Sequence, residues 1–478
     1  MRRTKIVASL GPATDDPEIL KKLFAAGLDV ARLNFSHADH ATTRERVAMV
    51  RKVAKAGKYD VAIMGDLQGP KIRINKFEHG FVELNKGDDF FLDPDHPERS
   101  GNEQGVGIAY AELANDVAAG DTLLLNDGLI VLTVDNIDGK RVNCKIKIGG
   151  VLSDKKGLNL KGGGLSADAL TEQDKLDIEL AAELDMDYLA VSFVRNKEDV
   201  NYARLLMKQA GSDAGIVAKI ERTEAVENLS EILSASDVVM VARGDLGVEI
   251  GDAELPVVQK HIIREARSHN RVVITATQMM ESMITSPIPT RAEVMDVANA
   301  VIDGTDAVML SGETAVGKYP VETVSSMARV CNGAERHLNT VRSKHRLNEH
   351  FTRTDEAIAM AAMYTANHLH VKVIVSLTET GSTALWLSRI SSGIPILALT
   401  RHDKTRRKVK MYRGVYPVSF DVLRKTSNHV LEDALVFLKK KGMVEAGDLV
   451  VMTRGDLSGI TGGTNTMKIL KVSATPAL

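Results

Sequence analysis

The sequence has few cysteines and few aromatic residues, and it lacks both a basic excess and a long hydrophobic run. Its two cysteines, Cys144 and Cys331, lie far apart and without metal-ligand spacing, which excludes a disulfide framework and suits a reducing cytosol. Lysine and arginine total 61 against 63 aspartates and glutamates, which argues against a general nucleic-acid or membrane-surface binder. No segment approaches the roughly 20 apolar residues of a membrane span, and residues 6–10 are too short for a signal peptide. We therefore expect a cytoplasmic protein without nucleic-acid or membrane partners.

Short apolar strands alternate with helical stretches, the order that builds a parallel sheet. Eight strand candidates occur, at residues 5–10, 30–36, 61–67, 188–193, 215–221, 238–245, 272–278 and 307–313. Seven of them carry polar residues at their carboxyl ends. This pattern predicts a (β/α)8 TIM barrel, whose active site lies at that rim. A doubly wound sheet is the alternative, although it would not need eight units of such similar length.

The chain of 478 residues exceeds what one hydrophobic core usually serves, so two or three domains are expected. Residues 70–166 interrupt the barrel pattern with β-branched, period-two segments and Asp-Gly turns. We interpret them as an inserted all-β domain that serves as a lid, or else as a rigid appendage. The barrel then comprises residues 1–69 and 167–345, and residues 346–478 form a C-terminal α/β domain.

The strand at 215–221 ends with an opposite-charge pair, Lys219 and Glu221, on one side of the strand because side chains alternate. Asp245 ends the next strand, so in a barrel the two carboxylates are neighbours. Two adjacent carboxylates are a common way to hold Mg²⁺ while leaving positions for water and substrate. From these residues alone, a salt bridge between Lys219 and Glu221 at the barrel rim is equally plausible.

Two arginines near the same rim suit a phosphate. Arg32, Asn34 and Ser36 alternate onto one face of the second strand, and Arg73 follows Asp66 in GDLQGPKIR. Guanidinium groups match phosphate oxygens in geometry and charge. Taken alone, each arginine would be interpreted as a solvated charge on a loop. Four strands place polar groups at the same rim, and this argues against that interpretation.

Six long motifs resemble those of the pyruvate kinase family and span essentially the whole chain. They are VARLNFSH, GDLQGPKIR, IVAKIERTEAV, MVARGDLGVE, TATQMMESMITSPIPTRAEVMDVANAV and DGTDAVMLSGETAVGKYP. The family has the same parts: a barrel, a β lid after the third strand and a C-terminal regulatory domain. The resemblance implies the family's reaction, the last step of glycolysis, in which phosphoenolpyruvate and ADP give pyruvate and ATP.

The resemblance also implies roles for individual residues. Glu221 and Asp245 would hold Mg²⁺ or Mn²⁺, and Lys219 would neutralise charge on the transferring phosphoryl group. Thr277 resembles the residue linked to enolate protonation, and a water relay is expected because a hydroxyl is a weak acid. Arg32 and Arg73 would bind phosphate, and the amides around Gly244 and Asp245 would bind the substrate carboxylate. Asn34, His37 and Arg73 would lie near the nucleotide, which Arg32 also faces. Ser311-Gly312-Glu313 would either support the site residues from behind or serve the fold alone.

One lysine predicts independence from K⁺. Members of the family that need K⁺ resemble DTKGPEIR where this chain has DLQGPKIR, so Lys71 replaces a glutamate and Leu67 a threonine. A tethered ammonium can supply the charge of the ion. The residues that resemble the K⁺ ligands would form a vestigial pocket made of Asn34, Ser36, Asp66 and Leu67. The alternative interpretation is that Lys71 is a surface lysine.

A segment of the C-terminal domain has the composition of an anion site. Hydroxyls and amides precede a helix that holds Trp386, the single tryptophan, and the family's effector pocket lies here. We predict a sugar-phosphate or nucleotide activator, with two ordinary turns as the alternative. The loop 454–466 would cover it, and the family is usually homotetrameric. The predicted effector residues are Thr378, Thr380, Gly381, Ser382 and Thr383.

Two rival functions come from other classes. A metal-dependent barrel lyase acting on phosphoenolpyruvate or pyruvate would explain Glu221 and Asp245, but not the inserted domain or the nucleotide-side residues. A catalytically inactive sugar-phosphate sensor on the same fold would not need Lys219, Arg73 and Thr277. An assay for ATP formed from phosphoenolpyruvate and ADP separates all three functions.

Overall fold

The computed structural model describes residues 1–341, 350–421, 429–455 and 462–474. Among these residues no helix is long and apolar enough to cross a membrane. The strands are β1 (Lys5–Ser9), β2 (Val30–Asn34), β3 (Ala62–Asp66), β4 (Phe81–Leu84), β5 (Asp89–Asp93), β6 (Gly105–Gly107), β7 (Thr122–Leu125), β8 (Ile130–Asp138), β9 (Arg141–Ile148), β10 (Gly150–Ser153), β11 (Leu158–Leu160), β12 (Tyr188–Val191), β13 (Gly215–Ile220), β14 (Val238–Ala242), β15 (Val272–Ala276), β16 (Ala307–Leu310), β17 (Val373–Leu377), β18 (Ile396–Thr400), β19 (Val415–Ser419), β20 (Leu449–Gly455) and β21 (Thr464–Lys471).

The helices begin and end at positions that local sequence explains. Asp16 caps α1 by accepting a hydrogen bond from the Glu18 amide, and Gly27 ends that helix with φ +114°. The helices are α1 (Pro17–Ala26), α2 (His40–Gly57), α3 (Leu113–Asp116), α4 (Glu172–Glu183), α5 (Lys197–Gln209), α6 (Thr223–Glu227), α7 (Leu229–Ala235), α8 (Arg243–Ile250), α9 (Leu255–Ser268), α10 (Arg291–Asp303), α11 (Gly312–Ala315), α12 (Pro320–Ala334), α13 (Leu338–Val341), α14 (Thr354–His368), α15 (Ser382–Ser388), α16 (Asp403–Lys408) and α17 (Val430–Lys440).

Eight strands close into a parallel barrel in the order β1-β16-β15-β14-β13-β12-β3-β2. They correspond to all eight strands predicted from the sequence, so the TIM barrel is confirmed and the doubly wound sheet is excluded. The barrel strands are buried almost throughout, which explains their continuous apolar sequences. Most strands end before the polar residues at the predicted tips, which therefore lie at or just beyond the strand ends.

The chain divides into two compact units, and the division passes through β3 and β12. The first unit comprises Met1–Gly65, Leu184–Tyr188 and Ala266–Leu478, and the second comprises Asp66–Glu183 and Leu189–Glu265.

The second unit contains the inserted β segment, β4 to β11. Strands β4 and β10 form a two-stranded antiparallel sheet, and a six-stranded sheet has the order β11-β7-β8-β9-β5-β6. Both sheets contribute to one apolar core that includes Phe90, Leu92, Leu132 and Leu152. The predicted all-β character of the insertion is therefore confirmed, with the four-residue α3 as its single helix among the described residues.

The first unit contains the C-terminal α/β region. Its five-stranded sheet has the order β19-β18-β17-β20-β21, in which β21 pairs antiparallel to β20 and the other neighbours are parallel. The helix α17 packs Leu431 and Leu435 into the core of this sheet. In the same unit, Arg389 and Asp306 form a bidentate ion pair whose side chains are 1% and 2% exposed. This pair joins the residue before β16 to the residue after α15.

Candidate active site

The opposite-charge pair predicted on β13 is formed, and it has further partners. The Lys219 ammonium lies 2.9 Å from Glu221 Oε1 and 3.3 Å from Asp66 Oδ1. It also donates a hydrogen bond of 2.6 Å to Ser192 Oγ. The side chain of Lys219 is only 13% exposed, so its ammonium is largely shielded from solvent. The carboxyl ends of three strands, β3, β12 and β13, thus meet at one ammonium group.

Glu221 is almost fully buried, and its second oxygen accepts a 2.8 Å hydrogen bond from the Phe193 amide. Burial raises the pKa of Glu221; the Lys219 ammonium opposes this shift, and the Asp245 carboxylate adds to it. Asp245 is thus close enough to influence Glu221, as expected for residues that follow neighbouring strands.

Lys71 is not an isolated surface charge. Its ammonium lies 3.0 Å from Asp245 Oδ1, and its side chain is 27% exposed. A cavity of about 370 Å³, partly open to solvent, is lined by both residues together with Phe193 and Arg222. Nearby Arg73 donates a 3.1 Å hydrogen bond to the Lys155 carbonyl. The structure therefore brings Asp66, Lys71, Lys219, Glu221 and Asp245 together in the second unit.

Among the other residues predicted near the barrel rim, Arg32, Asn34, His37 and Thr277 belong to the first unit, whereas Leu67 and Gly244 belong to the second. Arg32, in the middle of β2, is 9% exposed and donates a 2.6 Å hydrogen bond to Ser9 Oγ. Asn34 caps the 3₁₀ turn Phe35–His37 by accepting from the Ser36 amide. Thr277 follows β15 with φ +67°, a backbone conformation that is strained for a β-branched residue. Such strain is typical of residues that are held in place for function.

Several contact residues were not predicted as site residues. Ser192 links Lys219 to the Leu67 carbonyl, and Glu249 accepts a hydrogen bond from the Thr223 amide, two residues after Glu221. Burial raises the pKa of Glu249 to about 7, although the Thr223 amide and Arg222 oppose the shift. The polar ending of strand 188–193 was the signal for Ser192. No sequence pattern pointed to Glu249, because its hydrogen bond from the Thr223 amide depends on how α8 packs beside the loop after β13.

Glu313 supports a loop rather than projecting into the site. Its carboxylate is 2% exposed and accepts hydrogen bonds from the amides of Ser311 and Met280. Met280 lies three residues beyond Thr277. The supporting position suggested for the Ser311-Gly312-Glu313 segment agrees with these contacts.

In the predicted effector segment, Thr378 follows β17 and its hydroxyl accepts a 2.9 Å hydrogen bond from the Gly381 amide. Gly381 has φ +86°, a conformation that favours glycine, and α15 begins at Ser382. The hydroxyls of Thr383 and Thr464 lie 2.6 Å apart. Part of the predicted covering loop, residues 456–461, lies outside the described residues.

The donor set fits a divalent cation. Glu221 and Asp245 supply hard carboxylate oxygens, the preferred ligands of Mg²⁺. In the described part of the chain, no cluster of three or more acidic, histidine or cysteine side chains is arranged to hold a metal.

A closed (β/α)8 barrel with buried carboxylates and ammonium groups at its carboxyl strand ends defines a barrel enzyme suited to an anionic substrate and a metal ion. Comparisons with known proteins specify the class. The family model for the pyruvate kinase barrel domain matches residues 1–324, and the one for the pyruvate kinase alpha/beta domain matches residues 356–470. The chain belongs to the pyruvate kinase family. It is therefore a phosphotransferase with phosphoenolpyruvate, ADP, ATP and pyruvate as substrates and products, and the family implies a divalent metal cofactor.

Individual relatives support this assignment over the full length. The chain is 56% identical to pyruvate kinase II of Salmonella typhimurium over 479 residues, covering 99% of both chains. It is 54% identical to the pyruvate kinase of Haemophilus influenzae, covering 95% of this chain and 96% of that one. A crystal structure of a Cryptosporidium parvum pyruvate kinase superposes with a TM-score of 0.92 at 35% identity, covering 98% of this chain and 96% of the other.

Proposed function

We propose that the cluster around Lys219 is the phosphoryl-transfer site of this pyruvate kinase. The observation that carries the proposal is the convergence of Asp66, Ser192 and Glu221 on the Lys219 ammonium, within 3.3 Å of it. These partners hold the ammonium in one position before substrate arrives. A preorganised charge of this kind stabilises the equatorial oxygens of a transferring phosphoryl group without reorganisation during the reaction.

Glu221 and Asp245 would hold the divalent ion, Mg²⁺ or Mn²⁺. When bound, the ion supplies positive charge to the phosphoryl and enolate oxygens. Arg73 and Arg32 bind phosphate, and the first amides of α8, around Gly244 and Asp245, bind the substrate carboxylate. Asn34 and His37 contact the nucleotide, together with Arg73. The constrained backbone of Thr277 fixes a hydroxyl that relays a proton to the enolate through water.

The contact between Lys71 and Asp245 supports independence from K⁺. The ammonium of Lys71 stands beside a proposed metal ligand, where it supplies a fixed positive charge. Leu67 is 1% exposed and offers no oxygen ligand from its side chain. Asp66, which resembles a K⁺ ligand, already contacts the Lys219 ammonium. Asn34, Ser36 and Asp66 then remain as a vestige of a monovalent site.

We expect the wild-type initial rate in tetramethylammonium buffer to rise less than about tenfold when KCl is added, because Lys71 already supplies the charge. Lys71→Glu should lower the rate in K⁺-free buffer and allow KCl to restore part of it. Lys86→Glu, at an exposed position between β4 and β5, makes the same charge change away from the site and should alter neither rate. A wild-type rate that rises tenfold or more with KCl would contradict the proposal.

We further propose allosteric activation by a sugar phosphate or a nucleotide at Thr378, Thr380, Gly381, Ser382 and Thr383. The hydroxyls and amides at the start of α15 can donate to a phosphate. Arg401 pairs with Glu379 within this segment and adds a cationic group.

Sugar phosphates and AMP should therefore raise the rate at low phosphoenolpyruvate concentration. Ser382→Asp should abolish the response, because a carboxylate at the first residue of α15 repels phosphate. Ser473→Asp, exposed in the same unit, serves as the matched control and should keep the response. An absence of any response in the wild type, or a response that Ser382→Asp leaves intact, would remove this proposal.

The remaining assignments rest on family membership and on the distribution of the sheets. We propose a barrel domain at residues 1–69 and 167–345, a lid domain at 70–166 and a regulatory domain at 346–478. We also propose a cytoplasmic homotetramer. An assay for ATP formed from phosphoenolpyruvate and ADP tests the activity itself.

A further inference from the structure

A cavity in the first unit, remote in sequence from the catalytic residues, is lined by four arginines. The pocket has a volume of about 410 Å³, which includes space open to solvent. The lining includes Arg3, Arg267, Arg389 and Arg413, with Asp306 as the acidic lining residue. Three of these arginines, Arg3, Arg389 and Arg413, are less than 10% exposed.

The charges around the cavity do not balance. Asp306 is bound by the guanidinium fork of Arg389 and accepts a further hydrogen bond from the Val273 amide. Glu335, behind the cavity, lies 3.6 Å from Arg3. Four guanidinium groups against these two carboxylates leave an excess of two positive charges in largely buried surroundings. Uncompensated buried charge is costly, so this arrangement favours an anionic occupant.

Arg413, one of the lining residues, carries a donor that lacks a partner. One of its terminal nitrogens donates to the carbonyls of Val301 and Thr305, at 3.4 and 3.2 Å. The other, Nη2, is buried and has no hydrogen-bond partner within the described residues. Burial lowers the pKa of Arg413 to about 10, although Glu335 and Asp306 oppose this shift. A buried donor without a partner costs about 1–3 kcal/mol, or more when charged, and a bound anion would remove that cost.

Serine hydroxyls extend the donor set. Arg267 donates a 3.1 Å hydrogen bond to Ser391 Oγ, which keeps its own proton available for donation. Ser388 also lines the cavity. Guanidinium forks and hydroxyls together match the tetrahedral oxygens of phosphate. A phosphate group carries about two negative charges at neutral pH, which matches the excess of two positive charges.

We propose that this cavity binds a phosphate group, at a site separate from the catalytic residues and from the α15 effector segment. Arg413 supplies the central donor, Arg267 and Ser391 flank it, and Arg389 is held in place by Asp306.

The test is equilibrium dialysis of the full-length protein with radiolabelled inorganic phosphate. Arg413→Lys keeps the charge but removes the guanidinium fork, and it should weaken one phosphate site per chain by about tenfold or more, the effect expected for losing a hydrogen bond to a charged group. Ser391→Ala should weaken the same site, and it decides the question if Arg413→Lys fails to fold. Arg73→Lys and Ser382→Asp alter the other two anion sites and should leave this one unchanged.

Phosphate binding that neither Arg413→Lys nor Ser391→Ala alters would overturn the proposal. So would binding that disappears entirely in Arg73→Lys or in Ser382→Asp, because the ion would then occupy one of the other sites. A competition arm adds unlabelled AMP or a hexose 6-phosphate to the Ser382→Asp protein. Displacement of the label from the Arg413-dependent site identifies a phosphate ester as the source, and retention identifies free phosphate.

Discussion

Lys219→Met should lower kcat by about 10²–10³-fold or more, the cost of removing one preorganised charge from a transition state. Methionine has a similar length and is apolar, so it fills the space without replacing the ammonium. The variant should change kcat more than the KM for phosphoenolpyruvate, because Lys219 interacts most strongly with the charge that develops on the phosphoryl group in the transition state. Steady-state kinetics at saturating substrate and Mg²⁺ give both constants.

The matched control for this variant is Lys208→Met, at an exposed position in α5 of the same unit, which should keep wild-type kcat. A structural role for Lys219 predicts a different result. Removing it would then leave Glu221 and Asp66 without their shared cation and lower the unfolding temperature, with kcat of the folded protein close to wild type. That outcome would reduce the cluster to a salt bridge at the barrel rim.

Asp306→Asn should destabilise the first unit by about 3–5 kcal/mol, because it leaves the buried Arg389 guanidinium without its counter-ion. The asparagine side chain has one accepting oxygen where aspartate has two, and it carries no negative charge to balance Arg389. Urea unfolding in phosphate-free buffer measures the change. Asp95→Asn removes a carboxylate that is 67% exposed and paired with Lys140, and it should change stability little. Equal stability of the two variants would show that the Arg389–Asp306 pair contributes no more than a surface pair.

Much of the fold could be predicted because its signals are local. The barrel strands are short apolar sequences that are buried on both faces, and the inserted strands alternate with a period of two. The alternation of side chains also placed Lys219 and Glu221 together, and their charged groups lie 2.9 Å apart. The predicted strands extend up to three residues too far at their carboxyl ends; β16, for example, ends at Leu310 and not at residue 313. The residues beyond a strand end continue its sequence pattern for a short distance, which explains the error.

The features that the sequence did not predict depend on packing between distant segments of the chain. Nothing local to Lys71 indicated Asp245 as its partner, because 174 residues separate them. The cavity proposed to bind phosphate is lined by Arg3, Arg267, Arg389 and Arg413. These arginines are far apart in the chain, and in the sequence each resembles an ordinary surface charge. The raised pKa of Glu249 likewise results from burial, which composition does not reveal.

The most direct test of the whole account is the formation of ATP and pyruvate from phosphoenolpyruvate and ADP in K⁺-free buffer. Luciferase detects ATP and lactate dehydrogenase detects pyruvate in parallel samples. The account predicts equal amounts of the two products, a requirement for ADP, and loss of both products when EDTA removes Mg²⁺. Pyruvate released without ATP would indicate a lyase or a phosphatase, and no turnover with saturating substrates and Mg²⁺ would indicate an inactive sensor; either result would contradict the account.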